Sequence, residues 1–294
     1  TPSDPYFNAQ WWLEKINAPI AWSKITSGGN VIVGHIDTGV YAHPDLKDNI
    51  LVIPGIPTPK SAIFPITSHG TATAGIMGAV GNNGIGVSGT AWRLSILPLL
   101  GSAAVRPSGV DMGRAIKDAI YYGAKVITIQ VNEFRSGFFI PYVKKSIAYA
   151  YSKGAVIVVA AGNNVRDVSE DDYPQSDWRV ITVGASNKDD KKSAFSNFGP
   201  KIDIVAPGVD ILTTRFKYDP QSTPYKPCAI CPEDDDYTVV SGTSYAAPQV
   251  SAAAALILSL HPDFTNEEIR QVLRKSAYKP AYMNGKEFSI DIGY

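Results

Sequence analysis

The chain has 294 residues, and 27 Lys and Arg are balanced by 27 Asp and Glu, for a formal net charge of zero. That balance gives no basic face for nucleic acid or an anionic membrane, and the apolar run at 252–258 is too short for a membrane span. Two cysteines, Cys228 and Cys231, are too few for a disulfide framework. The length supports a substantial core in one large α/β domain or two smaller ones. Thr1-Pro2-Ser3-Asp4 reads as a processed or trimmed start without a signal peptide.

Residues 6–25 carry Trp12, Ile16, Ile20 and Trp22 at helical spacing. The turn Ser27-Gly28-Gly29-Asn30 then leads into the strand-like VIVGHI, which ends at Asp37-Thr38-Gly39. A helix is expected from His69 to Ala79, a strand near 94–100, a helix at 109–122, a strand at 125–131 and a helix near 141–152. Two more apolar runs, at 155–160 and 179–185, read as buried strands. Strands alternating with helices of this length imply a parallel sheet covered on both faces. No boundary-like linker or internal repeat divides the chain, so 1–294 reads as a single domain.

Near the end, SGTSYAAPQVSAAAALILSL (241–260) runs from a Gly-Thr-Ser turn into an uncharged helix that is apolar on nearly every face and belongs inside a core. Ser244 falls at its N-terminus, where free N–H groups and the helix dipole favour negative charge. That place suits a nucleophile whose attack creates an oxyanion, although Ser and Thr are also frequent caps. Pro248 removes a helical hydrogen bond and is expected to bend the helix.

Acyl transfer by a serine needs a base for its proton, an acid to orient that base, and donors for the oxyanion. His43 and His261 precede prolines in turn-like contexts and His35 lies inside a strand. His69 opens the small-residue helix HGTATAGIMGA and can project from a rigid helix end. Asp37 is the candidate orienter; taken alone it would read as a buried acid satisfied by backbone donors.

The order Asp37, His69, Ser244 is that of subtilisin. With HIDTGVYAHPDL, SHGTATAG, AAGNN and SGTSYAAP spread along the chain in the family's order, the sequence resembles the subtilisin-like serine proteases (subtilases, peptidase S8), the thermitase-like branch most closely. The resemblance implies the subtilisin-like fold: α/β, three-layer, a parallel central sheet with helices on both faces. It implies a serine endopeptidase in which Ser244 is the nucleophile, His69 the general base and then acid, and Asp37 the group holding the tautomer. Asn163, otherwise a turn residue, would give its amide to the oxyanion. Leu100, Gly101, Gln130, Val131, Asn132, Glu133, Ala161 and Gly162 would bind substrate.

The resemblance further implies a structural Ca²⁺ held by Asp4, Asp45, the Asn83 amide oxygen and the carbonyls of Val80, Ile85 and Val87, an oxygen set suited to that ion; a solvated loop with two capping acids is the plainer alternative. Partners would be a protein or peptide substrate and the chain's own N-terminal propeptide, with no nucleic acid and no membrane span. The protein would be a secreted or extracytoplasmic monomer, cut as a catalytic domain from a longer precursor.

Departures from the family pattern centre on VITIQVNEF after Lys125, where a small, flexible wall of the S1 pocket is usual. Side chains there should narrow or reshape the pocket, and Glu133 would favour a basic P1 residue unless it simply faces solvent. Ala72 and Gln249 replace usual histidines, and Tyr245 a usual Met. Segment 217–237 reads as an exposed insertion. Its Cys-x-x-Cys is expected to form a local disulfide, with metal binding or free thiols as alternatives. Two rival functions remain: a dedicated maturation peptidase trimming a leader, and a catalytically silent binding module.

Overall fold

The computed structural model describes residues 1–52, 67–101, 109–130, 140–168, 172–216, 236–289 and 292–294. Val131, Asn132 and Glu133, both cysteines and nearly all of the 217–237 insertion lie outside the described residues.

The N-terminal segment forms two short helices, α1 (Trp11–Lys15) and α2 (Ala18–Trp22), in place of one continuous stretch. Asn17 separates them at φ 57°, a left-handed conformation that Asn tolerates better than most residues. Trp12 and Trp22 are buried, whereas Ile20 is 69% exposed, so the helical spacing of the apolar residues overstates the buried face.

β1 (Ser27–Asp37) precedes α3 (His69–Gly78), β2 (Arg93–Leu100), α4 (Gly109–Tyr121), β3 (Val126–Ile129), α5 (Ile140–Ser152), β4 (Val156–Ala160), β5 (Val180–Ser186) and β6 (Ile204–Pro207). These six strands form one sheet in the order β2-β1-β3-β4-β5-β6, every pair parallel. A sheet covered on both faces needs apolar residues at both phases of each strand, and side chains alternate accordingly. Val31, Val33, Val126, Val156, Val158, Ile181 and Val183 share one core with Ala74 and Met77 of α3. Ile36, Leu97, Leu99, Ile127, Ile129, Ile157 and Val159 share another with Met112 and Ile116 of α4 and Val143 and Ile147 of α5.

The sequence reading does not anticipate β6, nor the small antiparallel pair and the final helix that follow. An antiparallel pair, β7 (Ile211–Thr214) and β8 (Tyr237–Val240), forms a second small sheet. After it comes the long helix α6 (Thr243–Leu260), and then α7 (Asn266–Ser276). α6 crosses the first core with Ala246, Ala247, Val250 and Ala254; its small residues let the helix lie close to the sheet. It runs unbroken across Pro248, and the following Gln249 donates from Nε2 to the carbonyls of Tyr245 (2.9 Å) and Pro207 (2.6 Å), tying the helix to the end of β6. α7 begins with a capping box in which Thr265 and Glu268 satisfy each other's backbone N–H groups, and Arg270 and Arg274 anchor it on Asp203.

Candidate active site

The strand order places β2 on one side of β1 and β3 on the other, so a crevice opens past the carboxyl ends of β1 and β3, where open parallel sheets carry their sites. Asp37 is the last residue of β1, paired in register with Leu100 of β2. Gln130 directly follows β3 and bonds through its N–H to the Ile36 carbonyl (3.3 Å). Into this crevice project the first turns of α3 and α6.

At the start of α3 the chain passes very close to the turn that follows β1. A Cβ on Gly70 would come within 2.1 Å of the Gly39 carbonyl oxygen, so only glycine fits beside His69. The imidazole donates from Nδ1 to Asp37 Oδ1 at 2.8 Å, which leaves Nε2 facing the crevice. Asp37 is fully buried, and its Oδ1 also accepts from the Thr38 N–H at 2.6 Å. Burial works against its charge, but His69, His35 and the Thr38 N–H outweigh it and hold the carboxyl down at about 2. The same pairing acts on the base: burial pulls His69 down, while the Asp37 charge and hydrogen bond raise it above its ordinary value.

At the start of α6, Gly242 has φ 157° and ψ 161°, a region essentially open to glycine alone. This turn sets Ser244 at the second helical position, 9% exposed, and swings the Tyr245 ring against the His69 imidazole, centroids 5.5 Å apart. The Ser244 hydroxyl donates to the Gln130 carbonyl at 3.3 Å. The expected hydrogen-bonded row is therefore joined between acid and imidazole, while the alcohol is turned toward β3 rather than toward His69.

Asn163 is exposed just beyond β4. Its amide oxygen accepts from the Thr243 N–H at 2.8 Å, which fixes the amide the right way round: Nδ2, the donor, is turned outward near Gly242. The Gly162 N–H is held by Thr243 Oγ1 at 3.0 Å, so the loop after β4 and the turn before α6 are tied at two points. The Ser244 N–H lies in the first helical turn, where backbone donors have no partner within the helix.

Of the residues expected to bind substrate, Leu100, Gly101, Gln130, Ala161 and Gly162 all lie at this edge, at or just past the ends of β2, β3 and β4. Gln130 reaches the crevice only through its backbone, because its side chain is buried and donates to Thr128 Oγ1 at 2.5 Å. The Gln130 side chain thus departs from the expected wall, while Val131, Asn132 and Glu133 lie outside the described residues.

The expected calcium ligands also meet in space, away from this crevice. Asp4 accepts from the N–H groups of Asn82, Asn83 and Gly84 and from Ser88 Oγ. Asp45 accepts from Asn83 Nδ2 (2.8 Å) and the Val87 N–H (3.0 Å). Asn83 differs from expectation: its Oδ1 accepts from the Ile85 N–H at 2.8 Å and its Nδ2 faces the acid. The carbonyls of Val80, Ile85 and Val87 accept no hydrogen bond from a described residue. Two converging carboxylates with unclaimed carbonyls form a hard-oxygen donor set that fits Ca²⁺. No group of three or more His, Cys, Asp or Glu among the described residues makes another candidate.

A parallel sheet with serine, histidine and aspartate at its carboxyl edge defines the class of serine hydrolases built on an α/β frame. The family model for the subtilase family (peptidase S8) matches residues 28–293, and the chain belongs to that family. It is 34% identical to thermitase from Thermoactinomyces vulgaris over 291 residues, covering 95% of this chain and 92% of thermitase. It is 35% identical to the thermophilic serine proteinase of Bacillus sp. strain AK1, covering 95% of this chain and 64% of that one. Among solved structures, a protease from Pseudoalteromonas arctica superposes with a TM-score of 0.79 at 28% identity, over 95% of this chain and 93% of the other. The protein is a subtilisin-like serine endopeptidase, acting on peptide substrates.

The structure also adds residues that sequence reasoning passed over. Thr73 and His35 stand directly behind Asp37, although His35 reads in sequence as an ordinary strand residue. The signal was available in the spacing: His35 and Asp37 are two apart on a strand, and His69 and Thr73 four apart on a helix.

Proposed function

We propose that Ser244 is the nucleophile of this endopeptidase, His69 its general base and then acid, Asp37 the group that holds the imidazole tautomer, and Asn163 with the Ser244 N–H the oxyanion donors. The observation that carries the assignment is the 2.8 Å bond from His69 Nδ1 to Asp37, which leaves Nε2 as the proton acceptor on the side from which Ser244 projects. For attack, the hydroxyl leaves the Gln130 carbonyl, turns about χ1 and gives its proton to Nε2 as Oγ bonds to the scissile carbonyl carbon. The negative oxygen is met by the outward Nδ2 of Asn163. His69 then passes the proton to the departing amine, and a water repeats the sequence to hydrolyse the acyl-enzyme. The Gln130 carbonyl, once released by Ser244, is an acceptor for a substrate backbone N–H.

Ser244→Ala is expected to lower turnover by about 10⁶-fold, the magnitude measured in subtilisin, a relative, while far-UV circular dichroism is unchanged. A serine-directed fluorophosphonate should label the wild type at Ser244 and leave the variant unlabelled. Unlabelled wild type, or a variant that still turns over substrate, would refute the assignment. Asn163→Ala is expected to cost about 10²- to 10³-fold in kcat, again the subtilisin magnitude, with KM little changed.

The chain works in this reading as a single catalytic domain and a monomer, with a structural Ca²⁺ on Asp4, Asp45 and the carbonyls of Val80, Ile85 and Val87. The ion would tie the N-terminal segment to the loop after α3 and takes no part in the chemistry. By family resemblance the precursor carries an N-terminal propeptide and the protein is secreted. One relative, from Dichelobacter nodosus, is named an extracellular basic protease, and no helix among the described residues is long and apolar enough to cross a membrane.

A further inference from the structure

Behind the acid of the site lies a second, wholly buried polar group. The alternation of β1 puts His35 on the same face as Asp37, one residue pair deeper, and both side chains are fully buried. The helical repeat of α3 puts Thr73 one turn below His69. Two pairs of residues, spaced two apart on the strand and four apart on the helix, thus form a closed quartet. Thr73 Oγ1 lies 2.9 Å from Asp37 Oδ2 and 2.9 Å from His35 Nε2, and His35 Nε2 is 3.7 Å from the same carboxylate oxygen.

The protons in this quartet can be assigned by elimination. The Thr73 hydroxyl has one proton and three acceptors in reach: Asp37 Oδ2, the Gly70 carbonyl at 3.1 Å and the His69 carbonyl at 3.2 Å. Back-bonding to the helix is the ordinary habit of a threonine, but the carboxylate is nearest and charged, and charge-assisted bonds are the stronger ones. With its proton on Asp37, Thr73 can only accept from His35, so His35 carries its proton on Nε2. The opposite tautomer would put an N–H on Nδ1, which is buried with no hydrogen-bond partner, at the cost of an unsatisfied donor.

Resting on the assignment of Asp37 and His69 given above, we propose that Thr73 and His35 are positioning residues of the catalytic centre. A two-link chain, His35 Nε2–H to Thr73 Oγ1 and Thr73 Oγ1–H to Asp37 Oδ2, locks the carboxylate plane so that Oδ1 stays aligned with His69 Nδ1. A carboxylate torsion is otherwise broad and roughly two-fold, and Oδ1 alone, with His69 and the Thr38 N–H, does not fix it. Burial keeps His35 neutral, pulling it down to about 4 although the Asp37 charge works the other way. The chain therefore persists throughout the range in which His69 must be unprotonated to act.

The test compares Thr73→Val, which keeps the shape and removes the hydroxyl, with Thr73→Ser, which restores it. Thr73→Val is expected to lower kcat by about tenfold to a hundredfold, the scale for a misaligned catalytic group, with KM within twofold. The acid limb of the kcat/KM profile reports His69, whose titratable neighbours are Asp37, His35 and Tyr245. It should move to lower pH, because a loosened Asp37 raises the imidazole less. Thr73→Ser should recover both readouts. His35→Leu should reproduce part of the loss and His35→Gln, which retains an N–H donor, should recover it; this pair decides the matter if Thr73→Val does not fold. Unchanged kcat in either disrupted variant, or a loss that tracks the melting temperature with the acid limb unmoved or raised, would overturn the proposal. Wild type that fluorophosphonate labels at Ser244, alongside a fully active Thr73→Val, would sink this inference and leave the catalytic assignment standing.

Discussion

Asp37 and Asp45 are both fully buried, yet their surroundings drive them in opposite directions. Asp37 is held at about 2, facing an imidazole, a backbone N–H and a hydroxyl. Burial, with Asp4 adding to it, pushes Asp45 up to about 7, even though it accepts from Asn83 Nδ2 and the Val87 N–H. Both acids therefore accept hydrogen bonds, and bond number alone does not separate them. What differs is the charge that acts on each: a base that can take a positive charge lowers Asp37, and a second carboxylate adds to burial in raising Asp45. A buried acid paired with a titratable base is a working part of a reaction; a buried acid paired with another acid calls for a cation.

The sharpest way to break this contrast is Asp37→Asn, which keeps the shape and removes the charge. The amide can no longer stabilise an imidazolium and presents the wrong partner to His69 Nδ1. Turnover should fall by about 10⁴-fold, as in other Ser-His-Asp enzymes, while the melting temperature falls only by the several degrees that the lost charge accounts for. Equal loss of stability and activity would show that Asp37 serves the fold rather than the reaction.

Next comes a test for a calcium ion at the second acid pair. With free calcium a thousandfold above its dissociation constant, binding would contribute about 4 kcal/mol, on the order of 10 °C in a domain of this size. Chelator should lower the wild-type melting temperature by that much. Asp45→Asn should melt at the same temperature with calcium and with chelator. If chelator leaves the wild type unmoved, the two acids are loop anchors, as their bonds to the N–H groups of 82–87 would allow.

Much of this contrast could be read from the sequence, and the reasons are local. Asp37 at the end of VIVGHI, His69 at the head of a small-residue helix and Ser244 after a glycine turn each announce themselves through strand ends and helix starts. The parallel sheet follows from apolar runs that bury both faces of each strand. Harder to read is anything decided by packing between distant segments. The hairpin of β7 and β8 and the burial of the Gln130 side chain depend on neighbours far away in the chain. α7 is not identified from the sequence either, although Thr265 and Glu268 spell out its capping box. The orientation of Asn83 depends on what lies between the two acids, which no sequence pattern specifies.

The smallest effect expected is in acid stability, and its sign follows from Asp37. Folding lowers this carboxyl from an ordinary 3.8 to about 2, so between those values the unfolded chain binds a proton that the native state refuses. Stability from this group is therefore fully present above about pH 4 and is lost as the pH falls toward 2, by about 2 kcal/mol in all. His69 runs the other way: raised in the fold, it favours the native state at low pH and gives up that contribution as the pH rises through its folded value. Denaturant midpoints of wild type and Asp37→Asn, measured from pH 5 down to pH 2, should converge as the wild type loses its advantage. A difference that stays constant over that range would mean that the unfolded and native states hold this proton alike, and that the imidazole and the Thr38 N–H do not keep Asp37 charged.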